Sequence, residues 1–418
     1  MTSPETERPG ALTRGSATGV GVASVVAAAS SYGVILIAAW TLEPARNADF
    51  LAFWSLLFFS FGMLAGIQNE TTRSVRSAYD GAVGRAPGAP VLPLALAIGA
   101  ALGLLLVATS AWWAAPVLGE REPLIIAVLA LAVVAFAGQV ALAGSLGGAG
   151  RWSVFAVLVG SEATARLALV ALAAVAGAAI AGLEVAAAAA AGTWLLVLAA
   201  SPAARRAAGA RADVTTWPFL RRSGAAIVAA ASSAALVVGF PVLLRVTSTP
   251  AEYALSAPLL IAVSLTRAPL MIPLGAYQGV AITHFLTHRD RGIAAIRPIA
   301  LAVLGAGALG ALLAWLVGPW LMATLIRSDY RVDGAVLAGL TFAAALLALL
   351  TLTGAAVLAL DRHAAYTAGW IAATLVSTII LLLPLPVELR AVLSLGVGPV
   401  VGVVVHLVAA SRAPLIGR

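Results

Sequence analysis

RRAAGARADVTTWPFLRR, residues 205–222, is the most charged stretch near the middle of an otherwise strongly apolar chain. Hydrophobic residues make up 62% of the 418 positions and charged residues 10%, and the mean hydropathy is +1.03. A soluble protein carries about 25% charged residues. So little charge leaves no room for a separate soluble domain, and residues 205–222 read as a polar loop between two sets of membrane spans.

Working outward from that loop, apolar runs recur at a length that crosses a hydrocarbon core of about 30 Å, which takes ~20 helical residues. Six precede it, at 16–41, 49–68, 91–117, 123–146, 152–179 and 184–204, and six follow, at 223–246, 252–286, 296–320, 334–359, 364–385 and 389–411. The runs are rich in Ala, Leu and Val and lack the alternation of a membrane β-barrel, so they read as helices whose backbone bonds are satisfied internally. The expected fold is all-α and polytopic, about twelve transmembrane helices in two six-helix lobes. Residues 1–15 and 412–418 form tails, 16–204 the first lobe and 223–411 the second.

Orientation follows from the arginines, which supply all 25 basic residues. With the N-terminus inside, seventeen fall in inward segments, five (Arg46, Arg121, Arg327, Arg331, Arg390) in outward loops and three (Arg166, Arg245, Arg267) within spans. Such an excess places both termini in the cytoplasm and the chain in the inner cell membrane. The formal charge of +8 therefore reads as a topology signal and as contacts for membrane lipids, not as a nucleic-acid surface, and no aromatic-interleaved basic patch occurs. Cysteine is absent, which excludes disulfides and Cys-ligated metals. The residues before the first span are short and polar, and that span is too long for a signal-peptide core, so it reads as a retained helix.

The two halves echo each other. AAASS occurs at 27–31 and 229–233, and ADF at 48–50 is answered by AEY at 251–253, at offsets of 202 and 203 residues. Six spans is an even number, so the halves share one orientation as a parallel pseudo-repeat, with a substrate path expected between them.

Polar residues inside the spans are the candidate functional groups, because each is costly in hydrocarbon. Glu162 and Arg166, in VLVGSEATARLALV (157–170), lie about 16 and 22 Å along the fifth span from Arg151. At i and i+4 they share a face, which reads either as a structural ion pair or as a substrate or coupling-ion contact. Glu162 reads as the only acidic residue well inside a span. Arg267, in SLTRAPLMIPLGAYQ (264–278), has no acid within a turn, and Pro269 and Pro273 are expected to break its helix, so it reads as facing water, a partner helix or an anion. Tyr277 and Gln278 follow on the same span. At the close of the second span, FGMLAGIQNETTRSVR (61–76), Gln68, Asn69, Glu70 and Arg73 form a polar patch that lines an inner mouth or is a solvated helix end. Gln139 reads as glue between helices.

Catalytic readings find no support: GxSxG, HExxH and P-loop patterns are missing, and the outer loops are short. The four histidines (His284, His288, His363, His406) show no metal-ligand spacing. No catalytic residue, metal or cofactor is expected.

The first span closing near Trp40, ADF or AEY opening the next span, the FG…GIQNETTR close of the second and TRAPLMIPLG in the eighth together resemble bacterial polysaccharide flippases. These belong to the multidrug/oligosaccharidyl-lipid/polysaccharide exporter superfamily. The resemblance covers the whole chain and implies a transporter moving lipid-linked oligosaccharide or polysaccharide precursors from inner to outer leaflet during cell-surface glycan biosynthesis. It also implies an anionic lipid-linked substrate facing Arg166 and Arg267, and glycan-assembly machinery as a partner. The main alternative is a facilitator-type or multidrug transporter of a small solute. The loop RSAYDGAVGRAPG, with Asp80 and Gly84-Arg85, weakly echoes the facilitator GxxxDRxGRR pattern, with different spacing. A membrane glycosyltransferase or a non-transporting glycan-assembly partner is the reading from another class.

Overall fold

The computed structural model describes residues 14–80, 88–119, 123–271, 297–360 and 362–411. Tyr277, Gln278, Pro273, Arg85, His284 and His288 lie outside the described residues. The described chain is α-helical, and its only β pairing is an isolated bridge between Pro90 and Arg211. It is an all-α polytopic membrane protein: among the described residues ten helices are long and apolar enough to cross a membrane, or eleven if one bent pair counts as a span.

The helices are α1 (Arg14–Thr41), α2 (Pro44–Asp80), α3 (Val91–Ala108), α4 (Ser110–Leu118), α5 (Pro123–Gly148), α6 (Trp152–Val175), α7 (Ile180–Ala189), α8 (Trp194–Ala200), α9 (Pro202–Ala208) and α10 (Thr216–Val237). They continue as α11 (Phe240–Thr247), α12 (Pro250–Ala254), α13 (Ala257–Met271), α14 (Arg297–Leu325), α15 (Gly334–Ala359), α16 (His363–Leu381) and α17 (Val387–Ser411). Two compact units result. One comprises Met1–Val34, Ser60–Ala115 and Glu120–Ala231; the other comprises Ile35–Phe59, Pro116–Gly119 and Ser232–Arg418.

Several boundaries differ from the hydropathy reading for identifiable reasons. Helix α2 runs to Asp80 instead of leaving off near 68; its 37 residues span about 55 Å, well beyond the hydrocarbon core. The 91–117 run breaks at Thr109 into α3 and α4. The 184–204 run stops at Ala200, because Ser201 is extended and its side chain accepts from the Ala204 amide, with Pro202 starting α9. The central loop shrinks from both ends, since α9 and α10 take most of it. What remains is pinned to the segment before α3: Ala212 N donates to Ala89 O at 2.9 Å and Ala89 N to Val214 O at 2.8 Å.

Two sharp helix ends rest on glycine. After α5, Gly150 (φ +69) lets Arg151 N bond Leu146 O while its own amide bonds Gly147 O. After α6, Gly177 (φ +71) repeats the pattern, with Ala178 N on Ala173 O. Both are Schellman closures, whose left-handed residue disfavours any side chain.

Candidate functional site

Each unit holds its own polar cluster. In the first, Glu162 and Arg166 stand one turn apart on α6, and both are buried. Arg166 Nη2 donates to Glu162 Oε1 in an ion pair, and its Nε donates to Ala187 O of α7 at 3.2 Å. Its guanidinium carbon lies 5.6 Å from the Phe61 ring centroid, a cation–π geometry. Helix α6 supplies the pair, α7 a carbonyl and α2 an aromatic face, so Arg166 is held from three helices.

Glu162 is not the only carboxylate inside a span. Glu184 on α7 is fully buried, three residues before the carbonyl that Arg166 engages. The sequence reading set it at the edge of the sixth span, whereas α7 begins at Ile180 and carries it inward.

The second-span patch lies on the continuous α2. Asn69 is exposed, Gln68 half-buried and Glu70 buried. Arg73 pairs with Glu70 at 2.6 Å and reaches Asp213 at 3.4 Å, while Ser74 Oγ donates to Asp213 at 2.9 Å. Arg222 stands 3.8 Å from the same carboxylate. Burial alone would raise the Asp213 pKa, but hydrogen bonds from Ser74 and Ser77 and the charge of Arg73 hold it below the ordinary aspartate value. Arg73 is thereby a tie between α2 and the segment before α10.

In the second unit, Arg267 lies within α13, which continues through Pro269 to Met271. The expected break at Pro269 is absent, and the broken span is the neighbouring one: α10 and α11 meet at 68°. Arg267 Nη1 donates to Val237 O, the last residue of α10, at 2.7 Å. Its guanidinium lies 6.0 Å from the Phe240 ring at the start of α11. Ser55 of α2 donates to the next carbonyl, Val238 O, at 2.6 Å. A bent helix leaves carbonyls without intrahelical partners, and Arg267 and Ser55 serve those two. Arg267 stays partly accessible and lines a small cavity with Val263, Thr266, Leu340, Ala343, Ala344 and Leu395.

The ADF and AEY stretches meet in this same unit. Tyr253 Oη donates to Ala48 O at 3.0 Å. Asp49 pairs with Arg245 at 2.8 Å, and Arg245 lies 4.6 Å over the Tyr253 ring. Glu252 pairs with Arg390 at 3.2 Å. Arg390 is buried at the start of α17, and its Nη1 donates to Leu381 O at 3.0 Å, the end of α16. Sequence reasoning counted Arg390 only as an outer-loop charge; Glu388–Leu389–Arg390 opening an apolar run carries no signal for the carbonyls it will cap. His406, also buried, sits 3.1 Å from Thr353 Oγ1 and 3.2 Å from Tyr366 O. Among the described residues no His, Asp or Glu group is arranged to hold a metal.

These ion pairs and capped helix breaks are set in the fold of MATE transporters. The structure of an inward-facing multidrug resistance MATE family transporter of the MOP superfamily aligns with a TM-score of 0.67 at 13% identity, covering 94% of this chain and 99% of that one. A MOP superfamily transporter from Pyrococcus furiosus, described as having a binding pocket of reverse polarity, aligns at 0.64 and 14% identity over 95% and 96%. No protein-family profile matches the chain. In sequence it is 42% identical to Uncharacterized protein Rv1510 of Mycobacterium tuberculosis (strain H37Rv) over 97% of this chain and 94% of that one. It is 40% identical to Uncharacterized protein Mb3654 of Mycobacterium bovis over 96% and 94%. The chain belongs to the family of these mycobacterial proteins.

Proposed function

We propose that the chain is a transmembrane transporter that carries lipid-linked oligosaccharide or polysaccharide precursors from the inner to the outer leaflet of the cell membrane, with both termini cytoplasmic and no catalytic step. The observation that carries this reading is the MOP superfamily fold over nearly the whole chain. The placement of its arginines supports an anionic substrate. Arg166 is paired with Glu162 and buried, and Arg267, which donates to the Val237 carbonyl, remains partly accessible. A guanidinium in that setting offsets the hydration that a pyrophosphate loses on leaving water. Outward movement of negative charge is favoured by an inside-negative potential, by about 2.3 kcal/mol per charge per 100 mV.

The multidrug description of the structural neighbours favours a second reading, export of a small solute. Reconstitution into vesicles with a fluorescent polyprenyl-pyrophosphate glycan decides between them. Flipping predicts that wild-type protein exposes the labelled lipid to a quencher in the opposite compartment, that Arg267→Ala abolishes this, and that Arg267→Lys, which can still donate to Val237, retains part of it. Efflux of a small dye with no lipid translocation would replace the first reading with the second.

A further inference from the structure

A groove of about 460 Å³ runs along the first unit between α6 and the 193–201 stretch. Ser153, Val157 and Ser161 line it from α6, and Thr193, Leu196 and Ala200 line it from the other side. The spacing puts each set on one helix face. The two stretches run antiparallel, so each lining face extends about 12 Å from the arginine-bearing end into the span. Val157 and Leu196 are 59% and 70% exposed, leaving the groove open along an apolar flank.

Its mouth is basic. Arg151 precedes Ser153 by two residues. Past Ala200 the Ser201 cap turns the chain into α9, and Arg205 folds back so that Nη1 donates to Ala199 O at 2.5 Å and Leu198 O at 3.3 Å. Arg206 follows on α9. All three arginines are exposed, and among the described residues none has a carboxylate partner within ion-pair distance. An apolar, hydroxyl-flecked slot inside the membrane beneath a cluster of guanidinium groups matches one ligand chemistry in both parts. From this we infer that the groove is a selective site for one anionic diacyl phospholipid, an acyl chain between α6 and α8 and the phosphate at Arg151, Arg205 and Arg206. A zwitterionic lipid fills the slot equally well but gains less at the mouth. The site does not depend on the transport reading.

Native mass spectrometry of the full chain, offered equimolar phosphatidylglycerol and phosphatidylcholine of identical acyl chains, tests it. Wild-type protein is expected to retain one phosphatidylglycerol with a preference of about tenfold or more, since each arginine near the headgroup favours the anionic lipid. Arg151→Gln, Arg205→Gln and Arg206→Gln together are expected to bring phosphatidylglycerol down to the phosphatidylcholine level. Val157→Trp, which fills the slot from an exposed position, is expected to lose both. Thermal melts confirm that each variant is folded. Equal retention of the two lipids by wild type, undiminished retention in Val157→Trp, or one-for-one displacement of phosphatidylglycerol by a polyprenyl phosphate would overturn the assignment.

Discussion

At the scale of the residue, the burial of Glu162 and Arg166 sets the cost of separating them. Removing one partner strands the other as an uncompensated charge in hydrocarbon, a loss of about 3 kcal/mol or more. Glu162→Gln and Arg166→Leu are therefore each expected to lower the melting temperature in detergent and the membrane yield. The exchanged pair, Glu162→Arg with Arg166→Glu, restores the charge balance but not the bond to Ala187 or the packing on Phe61. Partial recovery of the melt is the expected result. Complete recovery would show that the α7 carbonyl and the α2 ring contribute nothing measurable.

At the scale of the element, the break between α10 and α11 is held from outside itself. Val237 and Val238 expose carbonyls at the bend, and Arg267 and Ser55 supply the donors. Gly239 follows, where an added Cβ would collide with the Ala235 carbonyl. Ser55→Ala removes one donor and leaves a part-buried acceptor unsatisfied, at about 1–3 kcal/mol. Gly239→Ala forces the backbone to shift and is expected to destabilise the bend further. Hydrogen exchange across 232–247 checks both, since a loosened bend exchanges faster there while α5 and α6 keep their protection. Helix packing elsewhere depends on small residues in the same way. Gly398 and Gly402 bring α17 against the carbonyls of Ala373 and Gly369 on α16, a closeness a side chain would forbid.

At the scale of the whole molecule, pH and topology give the sharpest expectations. The Asp213 pKa is depressed, so its contribution is complete above the unfolded aspartate value, near pH 4, and is lost as pH falls through the lower folded value. Stability from this tie is accordingly expected to be flat from pH 8 to 5 and to drop only in acid. Asp213→Asn is expected to remove the acid-dependent part already at neutral pH. A melting temperature that fell between pH 7 and 5 in wild type but not in Asp213→Asn would contradict the depressed value. The cysteine-free sequence also suits labelling: Arg211→Cys is expected to react only with a cytoplasmic reagent and Asp329→Cys only from outside, and the reverse at either position would invert the proposed orientation.

Composition and the lack of barrel-type alternation determined that this is a helical membrane protein, because outside a closed β-barrel an apolar run in lipid satisfies its backbone only as a helix. Residue spacing determined that Glu162 and Arg166 share a face, since i and i+4 are fixed by the helix. Tertiary structure decided what each charge does. Arg267 lacked a local acid in the sequence, and its carbonyl partner lies thirty residues away at a bend in another span, where Gly239 and Pro241 open α11. Arg390 looked like a topology signal until α12 and α16 brought Glu252 and Leu381 to it. Asp49 and Tyr253 read as echoes of a repeat and turned out to share Arg245 as a partner. Local periodicity encodes which face a residue takes, but partners far apart in the chain meet only once the helices have packed.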